Sequence, residues 1–284
     1  MFKKRIWRYV LFSVIWVISL AGLVVLMSFI GIKKSTMTCK KVQVLIPGNQ
    51  YFIDRQEVDD ILGLNNNSLI GRRLENINLH GLEKSLKANP FIESAKVYAD
   101  MDGVIVVEIS QRQPMMRMIN LNGQNFYVDE HGLKIPVSDN FTARVVVANG
   151  FIDEAFLNKV DTLHTAIAQD VFKTADFIRK DSLWTAQIGQ IYVNEQHEME
   201  LIPRVGNQRI LLGNADSLEV KFKNLLAFYK QALPQVGWDA YKAINIKYSN
   251  QVIGIKNDHM KKNTPTIIKN DSLNAVKDTS QIKQ

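Results

Sequence analysis

The longest apolar run in the chain is Tyr9 to Ile32, YVLFSVIWVISLAGLVVLMSFIGI, 24 residues without a formal charge. At about 1.5 Å per residue a helix of that length spans roughly 36 Å, enough to cross an apolar layer of about 30 Å with some tilt. Trp7 and Tyr9 stand at one end, where amphipathic rings suit a membrane interface. A cleaved signal peptide would have a shorter apolar core and a small-residue cleavage site. Here Lys33 and Lys34 follow directly. The pattern predicts a retained transmembrane helix over residues 9–32 behind a cytoplasmic tail at 1–8. A lipid anchor on Cys39 is not expected, because Thr36-Met37-Thr38 do not form a small-residue lipobox. Cys39 reads as a bystander thiol. Four basic residues flank each end of the span, so charge leaves the orientation open. The short leading tail and the long chain behind it favour an N-terminus inside.

Beyond the span, Lys41–Ile46 alternates Val42, Val44 and Ile46 as a strand does. Pro47-Gly48-Asn49 turns the chain. Asp54 followed by Glu57 reads as a helix cap with its return partner, and Val58, Ile61 and Leu62 give one apolar face. A second helix is predicted from Leu79 to Ala88, capped by Asn78, with Leu79, Leu82 and Leu86 facing one way. Asn89-Pro90 ends it. A strand over Phe91–Tyr98, an Asp102-Gly103 turn and a β-branched strand over Val104–Ser110 complete a β-α-α-β-β unit at residues 41–112.

Residues 113–256 read as a larger, mainly β unit. Met115–Leu121 and Gln124–Val128 form a hairpin around Asn122-Gly123. Asp129-Glu130-His131-Gly132 is a turn, with Asp129 accepting main-chain N–H groups and Gly132 supplying positive φ. Leu133–Pro136 and Arg144–Ala148 follow as strands. Phe156, Val160, Leu163 and Ile167 describe a helix face. Trp184 leads into a meander of Gln187–Val193, Glu198–Pro203 and Arg209–Leu212. Asp216 with Glu219 is a second cap pair, opening an amphipathic helix through Leu218, Phe222, Leu225, Leu226 and Tyr229 that Pro234 closes. Ala243–Tyr248 and Gln251–Lys256 form a last strand pair. Residues 257–284 are rich in Lys, Asn, Asp, Thr and Ser and read as a disordered tail.

Charge narrows the function. The net charge is +7, yet eight of the 35 basic residues and none of the 28 acidic ones lie within residues 1–41, leaving 27 against 28 for the rest. A nucleic-acid binder carries its basic face on the folded part. Here the excess flanks the apolar span, where it suits anionic headgroups, and no nucleic acid is expected. One cysteine excludes an internal disulfide and a CxxC site. The five histidines, His80, His131, His164, His197 and His259, share no ligand spacing, and no nucleophile elbow or phosphate loop is present. His164 is expected on the solvent side of a helix, and His197-Glu198 on the surface. Asp59-Asp60 and Asp153-Glu154 read as exposed charge near helix starts. The Met115, Met116 and Met118 group reads as core rather than as a plastic binding surface. The chain is expected to be no enzyme and to need no cofactor or metal.

The β-α-α-β-β order, the junction Asn89-Pro90-Phe91-Ile92 and the stretch V-Y-A-D-x-D-G-V-I-V-V-E-I-x-x-R-x-P from Val97 resemble a POTRA domain. The run Val128 to Pro136 is similar to the V-D-x-x-G-x-x-x-P turn of the bacterial cell-division family FtsQ/DivIB. Ile210-Leu211-Leu212-Gly213, Lys221 and Ile244 to Asn250 resemble that family's late segment. The chain departs from it with Asn245 for the usual acid and Lys247 for the usual arginine, which keeps the charge but not the planar fork.

The resemblance implies an α+β chain: an N-terminal transmembrane helix, a small POTRA domain and a larger mixed β domain with flanking helices. It implies a non-catalytic divisome scaffold in the inner membrane, with its domains in the periplasm or cell envelope and enriched at the septum. Its partners would be FtsB- and FtsL-like coiled-coil proteins, with other divisome proteins at the POTRA face. The last strand is the expected docking edge, since an edge offers unpaired main-chain groups. Tyr248, Ser249, Val252, Ile253, Gly254 and Ile255 are the candidate partner-binding residues, with Tyr248 as an aromatic anchor and Gly254 permitting close approach. An outer-membrane assembly factor would show tandem POTRA units and a C-terminal barrel. A membrane-anchored peptidoglycan enzyme would show a nucleophile or metal site. An ectodomain sensor is the third alternative.

Overall fold

A computed structural model of the chain describes residues 7, 13–25, 37–48, 52–64 and 69–257. Within the predicted span, residues 13–25 are helical and exposed. The rest of 9–32, and residues 258–284 of the predicted tail, lie outside the described residues. Among the described residues no helix is long and apolar enough to cross a membrane.

The first sheet is built as the alternation predicts. It holds β1 (Lys41–Leu45), β2 (Ile92–Ala99) and β3 (Val104–Gln111), in the order β1-β3-β2. β1 runs parallel to β3, and β2 runs antiparallel to it. Between β1 and β2 come α1 (Arg55–Ile61) and α2 (Leu79–Lys87). Asp54 accepts the Glu57 N–H at 2.7 Å and so caps α1. The expected return bond from Glu57 is not made. Its carboxylate accepts from Asn89 Nδ2 at 2.8 Å, tying the first helix to the end of the second. The Asn89 Oδ1 accepts the Phe91 N–H, so one amide holds the chain on both sides of Pro90. Ile105, Val107 and Ile109 of β3 face the helices and join Val58, Leu86, Ile92 and Ala95 in one core. Cys39 belongs to that core at 1% exposure. Burial pushes its thiol pKa up.

The second sheet has ten strands. In chain order these are β4 (Pro114–Ile119), β5 (Asn125–Asp129), β6 (Leu133–Pro136), β7 (Val146–Gly150), β8 (Asp161–Thr162), β9 (Ile188–Val193), β10 (Met199–Pro203), β11 (Arg209–Gly213), β12 (Tyr241–Asn245) and β13 (Ile253–Lys256). Across the sheet they run β13-β12-β11-β10-β9-β7-β4-β5-β6-β8. The pairs β4–β7, β7–β9 and β11–β12 are parallel, and the others antiparallel. Helices α3 (Ala166–Arg179) and α4 (Ser182–Gln187) precede β9, while α5 (Leu218–Gln231) and α6 (Leu233–Val236) precede β12. Their apolar faces meet the sheet in a core that includes Met116, Met118, Phe126, Val171, Ile191, Leu201, Phe222 and Ile244. Met115, Met116 and Met118 are all buried, because a register shift between Pro114 and Met116 turns two successive side chains inward.

Three sequence expectations give way here. No helix joins Phe156, Val160, Leu163 and Ile167. Phe156 stacks on Phe126 at 4.9 Å in the main core, while Val160 packs in a different cluster, so the spacing does not mark one face. The helix begins later, at Ala166, and His164 precedes it. Asp216 and Glu219 do not cap α5. Ser217 stands at the cap position with φ +51° and no side-chain cap bond, and the Asp216 carboxylate accepts from Asn214. The strand predicted at Arg144–Ala148 lies two residues later, at Val146–Gly150.

Lys221 in α5 is buried. Its ammonium donates to Leu212 O at 3.1 Å and to the Asn214 O and Oδ1, each at 2.9 Å. Burial pulls its pKa down. These bonds anchor the start of α5 to the end of β11, where a side-chain cap would otherwise act.

Candidate functional site

Among the described residues β13 has β12 as its one sheet neighbour, so it forms an open edge. Its pairs are Ala243 with Ile255, Ile244 with Gly254 and Asn245 with Ile253. The Asn257 N–H donates to Ala240 O at 3.0 Å. By the alternation of an antiparallel ladder, Ile253 and Ile255 turn their main-chain groups toward β12, and Gly254 and Lys256 turn theirs outward.

The candidate residues take different places around this edge. Ile253, Gly254 and Ile255 lie on β13, and Ile253 is 44% exposed. Val252 precedes the strand and packs against the main core. Tyr248 is 57% exposed and lies in the connection between β12 and β13, because β12 ends at Asn245 rather than at the predicted Tyr248. Ser249 sits in the same connection, and its carbonyl accepts from Asn224 Nδ2 of α5 at 2.7 Å. The space above Gly254 is filled by this chain: a Cβ there would meet the Tyr241 ring. Tyr241 in turn packs on Phe228 of α5, ring centroids 5.3 Å apart. Asn224, Phe228 and Tyr241 therefore belong to the site. The apolar pattern of α5 marks its buried side only, so nothing in the sequence singled them out.

The two departures at Asn245 and Lys247 have local uses. Asn245 Oδ1 accepts the Lys247 N–H at 3.0 Å and turns the chain out of β12. The Lys247 ammonium pairs with Glu198 across the sheet. That bond holds the Glu198 carboxyl below its usual range. So Glu198, read as plain surface, carries a partner.

Asp153 is exposed, as expected, but its neighbour Glu154 departs from its reading as exposed charge. Glu154 is 1% exposed, and its Oε1 takes a 2.7 Å bond from the Lys134 ammonium of β6. Its Oε2 accepts from the His164 N–H and from the N–H and hydroxyl of Thr165. The His164 ring pairs with Asp161 at 2.9 Å, and the His131 ring with Glu93 at 3.2 Å. Every one of these carboxylates is held by a neighbour, as in a structural clip. Among the described residues no group of three or more His, Cys, Asp or Glu side chains is placed to hold a metal.

A three-stranded sheet under two helices is joined to a mixed ten-stranded sheet whose final strand has one neighbour among the described residues. Residues 37–110 match the POTRA-like domain family. Residues 113–255 match the FtsQ/DivIB, C-terminal related family, and the chain belongs to the FtsQ/DivIB family of cell-division proteins. That family is generally non-catalytic and is associated with the membrane at the division septum. No curated protein matches the chain.

Proposed function

We propose that this chain is a non-catalytic scaffold of the divisome, held in the inner membrane by the single helix at residues 9–32. Residues 41–112 act as its POTRA domain, residues 113–256 as its β domain, and residues 257–284 as a tail. The N-terminus at 1–8 lies inside and the two domains lie in the cell envelope. The β13 edge takes up FtsB- and FtsL-like partners by strand addition, while the POTRA face meets other division proteins. The observation that carries this reading is the outward main chain of Gly254 and Lys256 on a strand with no second neighbour among the described residues. Tyr248 and Ile253 add exposed apolar surface beside it.

Tyr248→Ala is expected to weaken partner binding by about 2 kcal/mol or more, the loss typical of an aromatic hot spot, while leaving the fold intact. Co-purification of the membrane-embedded chain with its FtsB- and FtsL-like partners tests the site. Replacing both Tyr248 and Ile253 with charged residues should abolish it, and full retention of the partners would refute the edge. A fluorescent fusion should form a mid-cell ring, whereas a uniform envelope signal would remove the division role.

A further inference from the structure

Gly254 is a glycine for reasons of space. Its φ is not among the positive values found at ten other glycines among the described residues, so its backbone conformation is open to any residue. A Cβ built there would lie 2.4, 2.7 and 3.0 Å from Cε1, Cδ1 and Cζ of Tyr241. The register explains the approach. Tyr241 pairs with Lys256 and Ala243 with Ile255, so β12 carries one extra residue, Lys242, against β13. A bulge of this kind re-aims the side chain beside it, and the Tyr241 ring comes to rest on the face that Gly254 leaves bare. An aromatic ring over a strand glycine restores the cross-strand packing that the missing side chain cannot give.

We infer that Gly254 and Tyr241 form a seat that holds β13 in register on β12, and that both act as positioning residues for the edge. As a statement about partner uptake this rests on the function proposed above. As a statement about the strand it stands alone. The ring has little freedom to yield, because Phe228 packs against both Tyr241 and the main core. The strand is the softer side: it is four residues long, and Ile253 is half out in solvent. A methyl group at position 254 therefore displaces the strand rather than the ring. The connection before it is tied to α5 by the bond from Asn224 to Ser249, so the displacement is confined to the edge.

Hydrogen exchange on the full chain tests the seat, with partner co-purification as a second readout. Gly254→Ala should speed exchange of the Ile253 and Ile255 amides by about tenfold or more, with the β10 and β11 amides unchanged. Adding Tyr241→Val in the same chain removes the clash together with the ring, and should bring both amides back part of the way toward wild type, while Tyr241→Val alone should speed them because the ring no longer packs on the strand. Unchanged exchange in Gly254→Ala overturns the seat, as does failure of the double variant to recover. If exchange follows the expected pattern but Gly254→Ala still co-purifies its FtsB- and FtsL-like partners in full, the seat is supported and the proposed use of this edge is overturned.

Discussion

Glu154→Ala is expected to destabilise the ten-stranded sheet by about 3–5 kcal/mol, the loss typical when one member of a buried ion pair is removed. The Lys134 side chain is 2% exposed, and the variant would leave its ammonium with the Ala155 carbonyl at 2.9 Å and Asp161 at 3.9 Å. The His164 and Thr165 N–H groups and the Thr165 hydroxyl would lose their acceptor as well. Denaturant unfolding at neutral pH measures the effect. Replacing both members, Lys134→Met with Glu154→Leu, should cost less than Glu154→Ala alone, since it leaves no unpaired charge. A double variant no more stable than the single one would show that the pair is not the source of the loss.

The same carboxyl gives stability a pH dependence. Burial alone would raise its pKa, but the bonds from Lys134, Thr165 and His164 outweigh burial and hold it below its usual value. A carboxyl depressed in the folded state stabilises fully above its unfolded pKa, about 4.3 for glutamate, and loses that contribution as pH falls through the lower folded value. Wild-type stability should therefore fall on acidification below about pH 4, and by less in Glu154→Gln.

Phe52→Ala should cost about 3–5 kcal/mol, the range for truncating a buried phenylalanine. Phe52 is 1% exposed between the two sheets. It stacks on Phe91 at 5.7 Å and meets Tyr127 and Phe141 edge-on at 5.8 and 5.0 Å. The Phe52 and Ile53 N–H groups donate to the buried Gln111 Oε1, and the Phe52 carbonyl accepts from Ser138. Beside this cluster Arg112 donates to Asp129 Oδ2 at 3.0 Å and to Pro90 O at 3.2 Å. Asp129 thus has two jobs: its Oδ1 holds the turn through the His131 and Leu133 N–H groups, and its Oδ2 receives the arginine. Calorimetry should show one cooperative transition for wild type and two for Phe52→Ala, as the sheets lose their common packing. One transition at the wild-type midpoint would mean that the cluster does not couple them.

Short-range chemistry made much of this architecture legible in the sequence. Asp54 and Asn78 cap helices where their side chains can reach an N–H three residues on. Asp129 and Gly132 make their turn for the same local reason, with Gly132 at φ +77°. What could not be read depends on tertiary neighbours. Phe156 and Leu163 look like a helical stripe together with Val160 only until the core divides them between two clusters. Glu154 looks like surface charge until a lysine 20 residues earlier comes to lie against it. At the edge, Tyr248 and Ile253 were visible as apolar residues near the end of the chain. Tyr241 was not, because its role is set by a bulge and by the absence of a side chain on the neighbouring strand.

The single sulfhydryl of this chain, at Cys39, gives it a built-in clock. Shut in the core of the small sheet and disfavoured as a thiolate, it should react with an alkylating agent at the pace at which that sheet opens rather than at the pace of a free thiol. Labels placed at newly introduced surface cysteines would then report on any other region, with the native position silent until the N-terminal unit breathes. A pulse of iodoacetamide on the folded chain, read by mass, would time that breathing directly. Complete modification within the mixing time would mean that the compartment around Cys39 is not closed.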